Sequence, residues 1–190
     1  MARWGRVFLF LFILVGCVSK LPHAPDYGKT EIGLLALLPV KNLTSDQTAA
    51  RMVREKMLEE LYFKGYPKIP FKTMDEKLLK KYGDNLADGN TSPKAVGELL
   101  NVDAAMYCTL SKSKTPVFFF YAPTSVAVSC ELRSAKTGEV LWKNRRSEVE
   151  RNFGFPRRIL KMNVLQVYEK IIQKVVSEIV KTLPDGPLLR

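Results

Sequence analysis

The chain has 190 residues, 46% of them hydrophobic and 26% charged, which suits one domain with a buried core. Its formal charge is +11, a surplus that points to an anionic polymer, an anionic lipid surface or a solvated basic face. One histidine and three cysteines exclude the Cys/His spacings of a zinc site.

Met1–Arg6 is short and basic, and Val7–Val15 (VFLFLFILV) follows as an unbroken apolar run. That run has the length of a signal-peptide core and falls short of the ~20 residues of a membrane-spanning helix. Leu14-Val15-Gly16-Cys17 then resembles a lipobox, with Leu14, Val15 and Gly16 read by the signal peptidase. The sequence therefore predicts a signal peptide over 1–16 and a covalent diacylglycerol and palmitoyl anchor on Cys17, with no other cofactor. Each buried CH₂ contributes ~0.8 kcal/mol, so one acyl chain anchors marginally and two or three hold firmly. Val18 stands where an aspartate would retain a lipoprotein at the inner membrane. The expected location is the periplasmic face of a bacterial outer membrane, where nucleic acid is not a partner. Without Arg3 and Arg6 the charge is +9.

Residues 17–30 carry the lipidated cysteine and a Pro- and Gly-containing tether, and 31–187 form a single domain with a short tail over 188–190. Glu31–Val40 is a dense apolar run that predicts a buried strand. Thr44-Ser45-Asp46-Gln47 fits a capping box with Thr44 as the cap. Behind it Ala49, Ala50, Val53, Met57, Leu58, Leu61 and Tyr62 recur at helical spacing up to Gly65. Tyr66–Phe71 predicts a short strand, and helices follow near 73–82 and 92–100 around a polar loop, Gly83–Thr91.

The period then changes to two. Met106, Cys108 and Leu110 share one face of a strand over 104–111; Val126, Val128, Cys130 and Leu132 share one face of a strand over 124–133. Ala135–Gly138 is a turn into a strand over 139–150. A long helix over 158–183 closes the domain with an apolar stripe that includes Tyr168, Ile172, Val176 and Ile179. The order predicts an α/β (α+β) sandwich: a mixed sheet ending in an antiparallel meander, packed by helices. A tight turn near Tyr121–Thr124 sets Cys130 opposite about residue 114, so Cys108 and Cys130 are expected to be free core thiols.

Several segments together resemble one family. They are Ile32–Val40 with Asn42, Gly65-Tyr66, Val102-Asp103-Ala104, Thr137-Gly138-Glu139-Val140-Leu141-Trp142 and Leu183-Pro184-Asp185-Gly186-Pro187. In order, they look like the uncharacterised bacterial lipoprotein family that includes a meningococcal surface-lipoprotein vaccine candidate. The resemblance implies a fold similar to the TolB N-terminal domain and the periplasmic part of CsgG, with PelC more distant. It also implies a non-enzymatic domain whose relatives assemble into rings or envelope complexes.

The residues themselves offer no chemistry. His23, in the tether, leaves a Ser-His-Asp or Cys-His arrangement without a base in the domain, and there is no P-loop or dinucleotide fingerprint. Asp84–Asn90 misses the spacing of a calcium loop. Two surface features remain. Phe118, Phe119, Phe120 and Tyr121 are consecutive, so alternation pushes at least one outward, and Pro116 and Pro123 bracket them. They form either a projecting tip for protein or bilayer contact or a hairpin folded back on the last helix. Lys143, Arg145, Arg146, Arg151, Arg157, Arg158 and Lys161 concentrate charge for lipid headgroups or an anionic polymer. The expected function is a homo-oligomeric assembly or accessory subunit of an envelope secretion or export complex. The alternative is a ligand- or glycan-binding lipoprotein module with no assembly role.

Overall fold

The alternating sequence from Ala104 onward forms three long antiparallel strands, β3 (Ala104–Lys114), β4 (Tyr121–Ser134) and β5 (Val140–Phe153). This is a computed structural model, and it describes residues 32–83, 91–153 and 157–189, without the side chains of 152 and 157–166. The signal peptide, Cys17, the tether, His23 and the Asp84–Asn90 loop lie outside the described residues. Two short strands, β1 (Leu35–Leu37) and β2 (Lys41–Asn42), pair in parallel with β3. The helices are α1 (Gln47–Phe63), α2 (Phe71–Tyr82), α3 (Pro93–Leu100) and α4 (Arg157–Val180), and Pro187–Leu189 ends the fold as a 3₁₀ turn. The strand order β1-β3-β4-β5 makes the mixed α/β sandwich that the pattern predicts.

One face of the sheet carries the main core. Met106, Leu110, Val126, Val128, Leu132 and Trp142 meet Ala49, Val53, Met57 and Leu61 of α1. Ile171, Ile172, Val175, Val176, Ile179 and Val180 of α4 close the same layer. Two apolar positions per turn give α4 a stripe wide enough to lie across the sheet. The other face has a smaller core of Ala36, Leu38 and Ala105 under Met74, Leu78 and Val96 of α2 and α3. Among the described residues that second layer covers the β1 side and leaves the outer face of β4 and β5 open.

Four local expectations are corrected. The apolar run before residue 41 is interrupted: Pro39 has no amide to give the ladder, and the chain bends between β1 and β2 before pairing again. The cap of α1 is Asp46, whose Oδ1 accepts from the Ala49 amide at 2.9 Å; Thr44 instead makes an Asx turn with Asn42 Oδ1. Tyr66–Phe71 is no strand, because Tyr66 turns inward and donates to the Pro184 carbonyl at 3.1 Å, and Phe71 already begins α2. Tyr62, at the edge of the α1 stripe, is 48% exposed, with Lys68 over its ring.

The cysteine expectation is overturned. Cys108 and Cys130 are direct partners in the β3–β4 register and form a disulfide. The hairpin turns through Thr115–Phe120, earlier than expected, and a register shift lies between Leu110 and Lys112. Moving the turn from Tyr121–Thr124 back onto the aromatics brings residue 130 opposite 108.

The segments that carry the family resemblance are the joints of this fold. Asp103 Oδ2 accepts from the Gly33 and Leu34 amides at 3.0 and 2.9 Å, tying the start of β1 to β3. Asn42 Nδ2 donates to the Asp46 carbonyl at 3.0 Å where α1 begins. Gly138 takes a positive φ of 81° in the β4–β5 turn, and Trp142 Nε1 donates to Thr182 at the end of α4. Gly186 packs on Gly65 so closely that a Cβ would lie 2.4 Å from the Gly65 carbonyl. Its amide donates to the Lys64 carbonyl at 2.7 Å.

Candidate functional site

Since those segments are spent on joints, the surfaces between them are the candidates for function. The first is the β3–β4 tip. Phe118, Phe119 and Phe120 are 57%, 73% and 59% exposed, and Tyr121 is half-buried. The Phe118 amide donates to the Tyr121 carbonyl at 2.8 Å, closing the turn. The Phe118 ring stacks on Tyr121 at 6.0 Å, and Tyr121 lies 4.9 Å from Phe153 at the end of β5. Local hydrogen bonding and ring contacts thus shape a protruding aromatic cap. An exposed cluster of this kind fits a contact with another protein or a bilayer.

The second surface is the open sheet face. Register puts Lys143 beside Glu131, Arg145 beside Ser129, and Arg151 beside Pro123, all on this face. The expected single cluster of basic residues is therefore divided. Arg146 is paired with Val128 on the opposite, helix-covered face, and its guanidinium donates to the Arg145 carbonyl at 3.3 Å. Arg157 opens α4 with Arg158 next to it, and their side chains and that of Lys161 lie outside the described residues. Three cations that the sequence reading missed take their place. Lys41 projects from β2 beside Thr109, and Lys112 and Lys114 lie beside Ala127 and Ser125. Extending the predicted strand from residue 111 to 114 would have placed the last two. Among the described residues the one acid on the outer face of β4 and β5, Glu131, is engaged by Arg133, with Nε to Oε1 at 2.8 Å.

Two hollows of about 580 Å³ each lie on this face. Leu38, Pro39, Lys41, Thr109, Ser129 and Arg145 line the first, together with Tyr107 and Lys143. Tyr107 donates to the Thr91 carbonyl at 2.7 Å, and burial pushes its phenol up to about 12. Lys112, Lys114, Pro116, Pro123, Ser125 and Val149 line the second.

The remaining polar clusters hold elements together. Asp46 Oδ2 accepts from Tyr168 at 2.6 Å and from Ser113 at 3.0 Å, joining α1, α4 and β3. Arg54 makes a two-pronged bond with Asp75, at 2.7 and 2.6 Å, and reaches the Leu37 carbonyl, joining α1, α2 and β1. Among the described residues no group of three or more His, Cys, Asp or Glu could hold a metal, and no helix is long and apolar enough to cross a membrane.

The domain is thus a mixed α/β sandwich with structural polar clusters and two surfaces of opposite character. Residues 29–187 match the model of the family described as "Putative lipoprotein GNA1162-like", and the chain belongs to that family. No curated protein matches it by sequence. Lipoprotein GNA1162 from Neisseria meningitidis is similar with a TM-score of 0.58 and 23% identity, over 73% of this chain and 97% of that one. The PelC dodecamer from Paraburkholderia phytofirmans is similar with a TM-score of 0.51 and 10% identity, over 79% and 87%. The hypothetical protein CT253 from Chlamydia trachomatis has a TM-score of 0.51 and 13% identity, over 80% and 95%. At these identities the likeness is one of fold.

Proposed function

We propose that this protein is a lipid-anchored subunit of an envelope assembly, held by Cys17 at the periplasmic face of the outer membrane and acting without catalysis of its own. The observation that carries the reading is the aromatic tip. Three adjacent phenylalanines stand more than half exposed on a hairpin whose other turns and strand faces are polar or packed. Leaving that much aromatic surface in water is unfavourable unless a partner covers it. Two further facts support the reading: membership of a lipoprotein family and a fold shared with a protein solved as a dodecamer. In this proposal the tip joins copies of the chain, or the chain to a secretion or export partner, and the lipids concentrate all copies on one surface.

The test is the mass of the full chain in neutral detergent, with and without Phe119→Ala and Phe120→Ala. A buried Phe truncated to Ala costs ~3–5 kcal/mol of fold stability, whereas an interface Phe mainly weakens association. At least one variant is expected to lower the oligomeric mass while its thermal midpoint stays near that of the parent. A monomeric parent at high concentration, or two variants that simply unfold, would remove the assembly role. In the same preparations Cys17→Ala is expected to abolish incorporation of radioactive palmitate; retained label would refute the anchor.

A further inference from the structure

We propose that the open face of the sheet is a trough for an extended, carboxylate-bearing polysaccharide. Lys41, Lys143 and Arg145 take acid groups at one end, and Lys112 and Lys114 take them at the other. Ser129 of β4 lines the first hollow and Ser125 the second, four residues and about 13 Å apart along the strand. Between them the floor is small: Ala127 is buried and lies beside Ser147. Lys112 of β3, beside Ala127, is the long side chain that a polymer running between the hollows meets.

Charge and floor chemistry select the occupant. Lys112, Lys114, Lys143, Arg145 and Arg151 make no ion pair with the described residues, and Glu131 is already bound by Arg133. Among the described residues the face thus holds uncompensated positive charge from Lys143 and Arg145 at one end and from Lys112 and Lys114 at the other, which a single small anion cannot span. Thr109 and Ser129 add hydroxyls that can donate to or accept from sugar hydroxyls, and Ser125, whose hydroxyl donates to the Lys114 carbonyl, can accept. Lysine and arginine at the rims make the stronger, charge-assisted bonds to carboxylates. A bilayer is a poorer fit, because the helix layer on the β1 side flanks this face and a flat array of headgroups meets that layer before the floor. The trough relies on the proposed envelope location only for access to such polymers. Its test reads glycan binding rather than oligomeric mass, so either proposal can fail alone.

The experiment titrates a fluorescently labelled oligogalacturonate with the full chain in neutral detergent and follows anisotropy. Binding is expected to saturate, to weaken as salt shortens electrostatic range, and to resist competition by neutral dextran fragments. Lys143→Glu with Arg145→Glu is expected to weaken it about tenfold or more with the thermal midpoint retained. Lys72→Glu with Lys80→Glu changes the net charge equally on α2, where both lysines are exposed, and is expected to leave the affinity unchanged. If charge reversal unfolds the sheet, Lys143→Gln with Arg145→Gln must give the same ordering against Lys72→Gln with Lys80→Gln. Equal losses in the two pairs would reduce the trough to general basicity. Displacement of the glycan by phosphatidylglycerol nanodiscs at matched charge would reassign the face to lipid. No binding at all would overturn the proposal.

Discussion

Replacing both Cys108 and Cys130 with alanine is expected to lower the stability of the domain by about 3 kcal/mol. The bridge spans 22 residues of sequence and encloses the whole β3–β4 turn, including the aromatic tip. Closing a loop of that length before folding removes chain entropy from the unfolded state, and the variant regains that entropy. In a domain of this size it corresponds to a fall of about 6–12 °C in the thermal midpoint. Both sulfurs are buried in the main core beside Leu110 and Val128, so the alanines also leave a small gap there. Under denaturing, non-reducing conditions an alkylating reagent should leave both thiols of the exported protein unmodified until reductant is added. Full alkylation without reductant would refute the bridge. A double-alanine variant as stable as its parent would show that the turn is held by its own contacts.

The second large effect is expected at Asp46. Asp46→Ala removes the cap of α1 and the shared acceptor of Tyr168 and Ser113, and should cost about 3 kcal/mol in total. Asp46→Asn retains shape but not charge and should lose less. Burial alone would push the Asp46 carboxyl up, but bonds from Tyr168, the Ala49 amide and Ser113 outweigh it and leave the carboxyl below its ordinary value. The same contact has the opposite effect on Tyr168, whose phenol is raised first by burial and then by Asp46. Because the folded carboxyl binds its proton less readily than the unfolded one, its contribution is complete above about pH 4 and fades as pH falls through the lower, folded value. Chemical denaturation from neutral to acid pH should therefore show a loss in the parent that is smaller in Asp46→Asn. Equal acid sensitivity in the two proteins would assign the loss to other carboxylates.

The aromatic tip and the disulfide are connected through one fact of register. In sequence the tight turn is expected near Tyr121–Thr124, just beyond the phenylalanines, and that placement separates the cysteines. In the structure the aromatics themselves make the turn, since the Phe118 amide bonds to the Tyr121 carbonyl and Tyr121 begins β4. Three phenylalanines are thereby released from alternation into solvent, and Cys130 comes to face Cys108. Turn position is a matter of a few residues, but with a side-chain period of two it decides every cross-strand partner.

What the sequence determined by itself was whatever rests on period and composition. The stripe of α4, the inward faces of β3 and β4, the stop after α1 at Gly65 and the mixed α/β sandwich all follow from apolar spacing, because burial of one face of an element requires that spacing. The expected leader and the proposed anchor at Cys17 rest on linear signals of the same kind. Only the tertiary structure decided which surface each basic residue joins. Arg145 and Arg146 are neighbours in the chain yet stand on opposite faces of the sheet, whereas Lys41, Lys112 and Arg145, far apart in sequence, meet on one. Pairing register and the layer on the β1 side set the composition of that face, and both depend on contacts between segments that no local pattern encodes.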